Sequence, residues 1–335
     1  MNSAAFVTQF FQLPNTQRRL AYSAVGDRHS PDVLLCLPGL LETRTSFYPV
    51  LQAAQSLSGL RMVALDLCGR GDADPLPNDQ GYAMSVYLSD VHQFIQQALM
   101  QGATQPRLHL LGTSMGGILS MYVVSDNPTQ VHSLTLNDIG LRLKWLSIYG
   151  LYDDMKQAGQ WPSPEALATQ LQVSVGAVMA VQSPAHFDLP YRKDWVGMQF
   201  GHLLQHFQGR MRLVHGSDSG VCLPEQVREL QHTFSQLQVH EVAHAKHPAP
   251  FNPAVCDFVL QGLGEARAVN TAEEAPPVPL VTPAPPAPPA PPVQPVQPMQ
   301  PTPPMQPQAN LPPTPPDGSP TWWRKIMRRL NATRK

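Results

Sequence analysis

The pentapeptide Gly112-Thr113-Ser114-Met115-Gly116 lies between the apolar run Leu108–Leu111 and a helix-compatible segment, Ile118–Ser125. This junction restricts the fold more than any other stretch of the chain. A serine in a G-x-S-x-G setting occupies a sharp strand-to-helix turn, with a strained backbone and small neighbours that let strand and helix approach each other. Its hydroxyl is then held above the end of the strand, near the positive end of the following helix. Such a turn needs a sheet that ends there and a helix that packs back onto it.

The rest of the chain supplies that setting. Continuous apolar runs at Val33–Leu37, Arg61–Leu67, Arg107–Leu111, Ser133–Leu136 and Met211–Val214 read as strands buried on both faces. Phe6–Leu13 and Arg19–Ala24, separated by Pro14-Asn15, read as an opening pair, and Gln238–Val242 as a last strand. Helical spacing recurs between them, at Phe47–Leu57, Val86–Met100, Ile118–Ser125 and Ala254–Leu263. This alternation predicts a mostly parallel, doubly wound α/β sheet covered on both sides by helices. Residues 140–208 interrupt the pattern with helical, aromatic-containing sequence (Trp145, Tyr149, Tyr152, Met155, Trp161, Trp195, Phe200) and are expected to form a helical cap inserted between two strands.

Composition divides the chain into a domain and a tail. Of 37 prolines, 21 fall between Pro276 and Pro320, in a stretch too poor in large apolar residues to offset the entropy of ordering it. The expected organisation is therefore a globular domain over residues 1–268, a disordered proline-rich linker over 269–320, and a terminal segment at 321–335. Six Arg or Lys and no acid occupy that last segment, so a formal net charge of −1 conceals −7 on the first 320 residues. An acidic domain disfavours nucleic-acid binding. Trp322, Trp323, Ile326, Met327 and Leu330 share one helical stripe with basic residues on the other faces, the pattern of an amphipathic helix that docks on an anionic membrane surface or in a partner's groove. Cys36, Cys68, Cys222 and Cys256 are too few for a disulfide scaffold and too dispersed for a structural zinc site. With no leader-like start and no spanning apolar stretch, a cytoplasmic protein, at most peripheral to a membrane, is expected.

Taken together, Leu37-Pro38-Gly39-Leu40-Leu41, Leu65–Gly71, Gly112–Gly117, Leu136-Asn137-Asp138-Ile139-Gly140, Leu213-Val214-His215-Gly216 and His247 resemble the α/β-hydrolase family, in its bacterial esterase, C–C-bond hydrolase and haloperoxidase-like branch. The resemblance implies a Ser–His–Asp triad with Ser114 as nucleophile and His247 as general base, His244 being the competing histidine. It also implies an oxyanion hole formed by the backbone N–H groups of Leu40 and Met115, with no cofactor and no metal. The chain departs from the family pattern at Pro38, at Lys246 and above all at Gly220, where the acid is expected. Asp218, in the same loop, is the favoured replacement, and Asp138, after the preceding strand, is the alternative. The expected activity is hydrolysis of a carboxylic ester or related small acyl substrate. The departures motivate a second reading, a weakened relative that serves as a scaffold through its tail.

One motif competes with this reading. His240-Glu241-Val242-Ala243-His244 matches the H-E-x-x-H zinc-protease pattern, which needs both histidines on one helical face. The alternating, β-branched sequence around it predicts a strand, on which positions i and i+4 stand about 13 Å apart. That separation is too great for one zinc ion.

Overall fold

Val33, Leu35 and Leu37 alternate with Leu34 and Cys36 along one fully buried strand, and the two sets pack into separate hydrophobic cores. This is the period-two geometry of a strand covered on both faces. A neighbouring strand repeats it, with Val63 and Leu65 in one core and Met62 and Ala64 in the other. The computed structural model describes residues 6–77, 82–101, 105–144, 163, 165–166 and 197–271, with backbone alone for 262 and 264–271.

In chain order the strands are β1 (Gln9–Gln12), β2 (Arg19–Val25), β3 (Asp32–Leu37), β4 (Leu60–Leu65), β5 (Arg107–Thr113), β6 (Val131–Asn137), β7 (Arg142–Lys144), β8 (Gly197–Gln199), β9 (Arg210–Gly216) and β10 (Gln238–Val242). Eight of them form one sheet in the order β1-β2-β4-β3-β5-β6-β9-β10. The opening strands pair antiparallel, β1 with β2 and β2 with β4, and every other pairing in this sheet is parallel. The helices are α1 (Tyr48–Ala54), α2 (Met84–Phe94), α3 (Met115–Asp126), α4 (Pro224–Thr233) and α5 (Pro253–Thr271). Residues of α2 and α3 fill one core, among them Val91, Phe94, Leu119 and Val123. Val50 and Leu51 of α1 fill the other with Val255, Val259 and Leu260 of α5. This is the mostly parallel, helix-covered α/β sheet expected from the sequence. Some details differ: the helix expected over Val86–Met100 changes to a wider π turn at Ile95–Leu99, α4 was not foreseen, and α5 runs on to Thr271, past the end expected at Leu263.

The register of the parallel strands does most to place the site. Leu37 pairs with Gly112, Thr113 with Asn137, Asn137 with Val214, and Gly216 with Val242. The C-terminal ends of β3, β5, β6, β9 and β10 thus line up along one edge of the sheet. The loops that follow, with residues 38–42, Ser114, Asp138, Asp218 and His247, emerge side by side there, where ligands bind in open α/β sheets.

Between β6 and β9, strands β7 and β8 form a small antiparallel ribbon that brackets residues 145–196. Phe200, just after it, is buried. The remainder of the expected cap, with Trp145, Tyr149, Tyr152, Met155, Trp161 and Trp195, lies outside the described residues. So do the proline-rich linker and the basic amphipathic segment at 321–335. No helix of the described residues is long and apolar enough to cross a membrane.

Candidate active site

The glycines of the G-x-S-x-G turn are required by close backbone approach. A Cβ on Gly116 would stand 2.0 Å from the Leu37 carbonyl oxygen, and one on Gly112 would stand 2.4 Å from the Gly116 oxygen. Only hydrogen fits where the start of α3 crosses the ends of β3 and β5. Between them Ser114 takes φ 49° and ψ −113°, a left-handed backbone uncommon for a residue with a side chain. Its N–H donates to the Asn137 carbonyl at 3.1 Å, and its own carbonyl accepts the Ile118 N–H, starting the helix. The strain is held by these bonds and points the half-buried hydroxyl away from the sheet.

His247 reaches this hydroxyl from the loop between β10 and α5. Its Nε2 lies 2.8 Å from Ser114 Oγ, and its Nδ1 lies 2.8 Å from Asp138 Oδ2. Asp138 is fully buried just after β6, itself at φ 57°. Its N–H donates to the Val214 carbonyl, and its second carboxylate oxygen accepts the Gly216 N–H at 3.1 Å. Both oxygens are therefore engaged, one by β9 and one by the imidazole.

The carboxylate that meets His247 is therefore that of Asp138, a correction to the expectation that favoured Asp218. The Asp218 carboxylate is half exposed, accepts from the Ser217 hydroxyl at 3.0 Å, and lies 3.9 Å from the solvent-facing His244. Its loop supports the site through other hydrogen bonds instead. Asp218 N–H donates to the Ala245 carbonyl, and Ser217 Oγ accepts the His244 N–H at 2.8 Å. A Cβ on Gly216 would meet that same Ala245 oxygen at 2.6 Å. The β9 loop thus shapes the histidine loop without bringing a carboxylate to His247. Gly220 is exposed, with open space around its Cα.

Leu40 and Met115, the expected oxyanion donors, flank Ser114 from two elements. Met115 is the first residue of α3. Leu40 follows Gly39, where an added Cβ would stand 3.4 Å from Ser114 Cβ. Among the described residues, neither backbone N–H has an acceptor.

Three residues at this edge were not singled out from the sequence. Asn137 is buried and donates its amide to the Ala249 carbonyl at 3.0 Å and to Thr113 Oγ1 at 3.3 Å, linking the histidine loop to the strand beneath Ser114. Glu42 accepts the Gly39 N–H at 2.7 Å. His215 is buried with its Nδ1 3.5 Å from Asp138 Oδ1, short of a hydrogen bond. Only a glutamate in an otherwise apolar post-strand loop gave a visible sign. Asn137 and His215 directly follow the runs Ser133–Leu136 and Met211–Val214, which read as core strands.

Asp138, His215 and Cys222 bring one potential metal-ligating atom each within 4.8 Å of one another. Burial and the neighbouring Asp138 hold the Cys222 thiol far above its ordinary range, and Asp138 is already committed to His247 and Gly216. The H-E-x-x-H residues do not converge either. His240 and Glu241 lie on β10, whereas His244 lies in the turn after it with a left-handed backbone.

Residues 32–163 match the family model for the alpha/beta hydrolase fold. The chain is 34% identical over 131 residues to the 3-hydroxybutyrate-oligomer hydrolase of Cupriavidus necator, a match covering 39% of this chain and 42% of that protein. It thus spans about two fifths of the length of the first curated relatives it matches. Among solved structures, an alpha/beta hydrolase from Novosphingobium aromaticivorans superimposes with a TM-score of 0.56 at 19% identity, covering 77% of this chain and 98% of its own. The thioesterase domain from the curacin biosynthetic pathway superimposes with a TM-score of 0.55 at 19% identity, covering 80% and 99%.

Proposed function

This chain belongs to the α/β-hydrolase fold family, and on that premise we propose that it is a serine hydrolase of carboxylic esters. The observation that carries the reading is the unbroken line Asp138–His247–Ser114, with both links at 2.8 Å. Both lie within the range of a working nucleophile–base–acid set.

In the proposed reaction, Ser114 Oγ attacks the ester carbonyl carbon while His247 Nε2 takes the hydroxyl proton. The electron pair of the C=O bond moves onto oxygen, which the Leu40 and Met115 N–H groups receive. Asp138 keeps the Nδ1–H tautomer facing itself and stabilises the imidazolium. Collapse of the tetrahedral intermediate breaks the C–O ester bond, and the departing alkoxide takes the proton from Nε2. Water then repeats the sequence on the acyl-serine, releasing the carboxylic acid and restoring Ser114. Likeness to an enzyme named for 3-hydroxybutyrate oligomers makes short hydroxyacyl esters the first natural substrates to try. With Asp138 in contact with His247, the missing carboxylate at Gly220 no longer argues for a weakened scaffold. We also assign the basic segment 321–335 to recruitment of the enzyme onto an anionic surface.

An alkyl fluorophosphonate probe tests the reading directly. Wild-type protein should be labelled on Ser114 and should hydrolyse p-nitrophenyl butyrate, and Ser114→Ala should do neither. An unlabelled wild type, or equal hydrolysis by the variant, would overturn it.

A further inference from the structure

Among the loops at the active edge, the turn Gly39–Glu42 is gripped from both ends. Glu42 accepts the Gly39 N–H through its carboxylate at 2.7 Å, and its own N–H donates to the Gly39 carbonyl at 3.2 Å. The Gly39 carbonyl and the Leu40 N–H belong to one planar trans peptide unit and point in opposite directions. Holding that carbonyl therefore sets the direction of the Leu40 N–H. One residue further on, the buried guanidinium of Arg70 donates from Nε to the Leu40 carbonyl at 2.9 Å, and its Nη1 to the Tyr87 hydroxyl at 2.7 Å. The turn lies against the nucleophile, because a Cβ on Gly39 would come within 3.4 Å of Ser114 Cβ and 2.9 Å of Glu42 Oε2. Burial pushes the Glu42 carboxyl above the usual range, against the Gly39 N–H and the nearby His247, which draw it down. A carboxyl held in such a place has a constraint to satisfy, since burying it is costly unless its bonds are used.

Resting on the serine-hydrolase reading, we infer that Glu42 is the positioning residue of the oxyanion hole, its side chain and backbone clamping the 39–42 turn so that Leu40 N–H faces the developing charge beside Ser114. Glu42 does not touch the reacting atoms. Its contribution is geometric, and the requirement is an acceptor oxygen at the right reach rather than a negative charge.

Three substitutions separate reach from charge. Glu42→Gln keeps length and an acceptor oxygen but removes the charge. Glu42→Asp keeps the charge but draws it back by one methylene, and Glu42→Ala removes both. Losing one oxyanion donor costs about 10²–10³ in rate, so a donor left in place but misdirected should cost about 10- to 100-fold in kcat, with KM within about twofold. That loss is expected for Glu42→Ala and Glu42→Asp, with Glu42→Gln recovering turnover to within about threefold. Affinity for an alkyl trifluoromethyl ketone, which forms an oxyanionic adduct with the serine, should fall in parallel with kcat/KM, as transition-state mimicry requires. Should Glu42→Ala fail to fold, the Asp and Gln variants decide alone. Gln as impaired as Asp, or Asp and Ala as active as wild type, would overturn the inference while leaving the nucleophile assignment intact. Full activity in Ser114→Ala would remove the premise and this inference together.

Discussion

Replacing Asp138 by Asn is the perturbation that most sharply separates the structure from the sequence expectation. The side chain is fully buried, with Oδ2 2.8 Å from His247 Nδ1 and Oδ1 3.1 Å from the Gly216 N–H. Asn preserves volume, and its carbonyl oxygen can still accept from Gly216, so the fold should survive. The amide NH₂ then faces Nδ1 and donates to it, which drives the imidazole proton to Nε2. A histidine protonated there cannot accept the Ser114 proton, and the cation formed during turnover has lost its counter-charge. The corresponding change in a well-studied triad costs about 10⁴ in kcat, or about 5.4 kcal/mol at 1.36 kcal/mol per decade. We expect a loss of that order for Asp138→Asn in p-nitrophenyl butyrate hydrolysis, with the melting temperature measured alongside. Asp218→Asn, which removes a half-exposed carboxylate facing Ser217 and His244, should stay within about threefold of wild type, in line with the small worth of exposed pairs. Retention of more than a tenth of wild-type turnover by folded Asp138→Asn, or an equal loss in Asp218→Asn, would refute the assignment.

Three further outcomes are expected. Gly116→Ala sets a Cβ 2.0 Å from the Leu37 carbonyl oxygen, and overpacking against backbone should cost about 1–3 kcal/mol or more; a thermal melt within a degree of wild type would contradict it. Asp32 is buried beneath the opposite end of the sheet, paired with Arg107 and His109; burial raises its carboxyl, but those partners outweigh it and hold it down at about 2. Its folded-state value is depressed, so its stabilisation, about 2 kcal/mol at 1.36 kcal/mol per unit, is present above about pH 4 and is lost as pH falls towards 2. Asp32→Asn should therefore flatten the acid decline of the urea midpoint between about pH 4 and 2, and an unchanged slope would count against the pairing. Deleting residues 321–335 removes six positive charges and should reduce sedimentation with anionic vesicles while leaving hydrolysis of soluble esters unaltered. Equal sedimentation of the truncated protein would rule out membrane recruitment through this segment.

The elbow was readable from sequence because its requirements are local. A strand, a positive-φ serine and glycines at fixed offsets leave an imprint within about ten residues, and the clashes at Gly112 and Gly116 show why. The strands were equally legible, since β3 to β6 and β9 are buried on both faces and read as unbroken apolar runs. The ends of elements were less so. The π turn after α2 and the run of α5 past Leu263 to Thr271 depend on neighbours that periodicity does not register.

What the sequence by itself determined was the fold class, the serine of the strand-to-helix turn and the histidine expected to meet it. The choice between Asp138 and Asp218 belonged to tertiary structure alone. Both aspartates end or follow apolar strands, and both lie many residues from His247 in the chain. Only the parallel register of β5, β6 and β9, which sets Asn137 beside both Thr113 and Val214, brings the carboxylate after β6 under the imidazole. The same register turns the carboxylate after β9 out towards His244 and solvent. The same holds for Glu42, whose side chain turns back to Gly39 at the sheet edge beside Ser114. Spacing along a chain reports local backbone demands, whereas which carboxylate reaches which histidine is decided by how strands line up across the sheet.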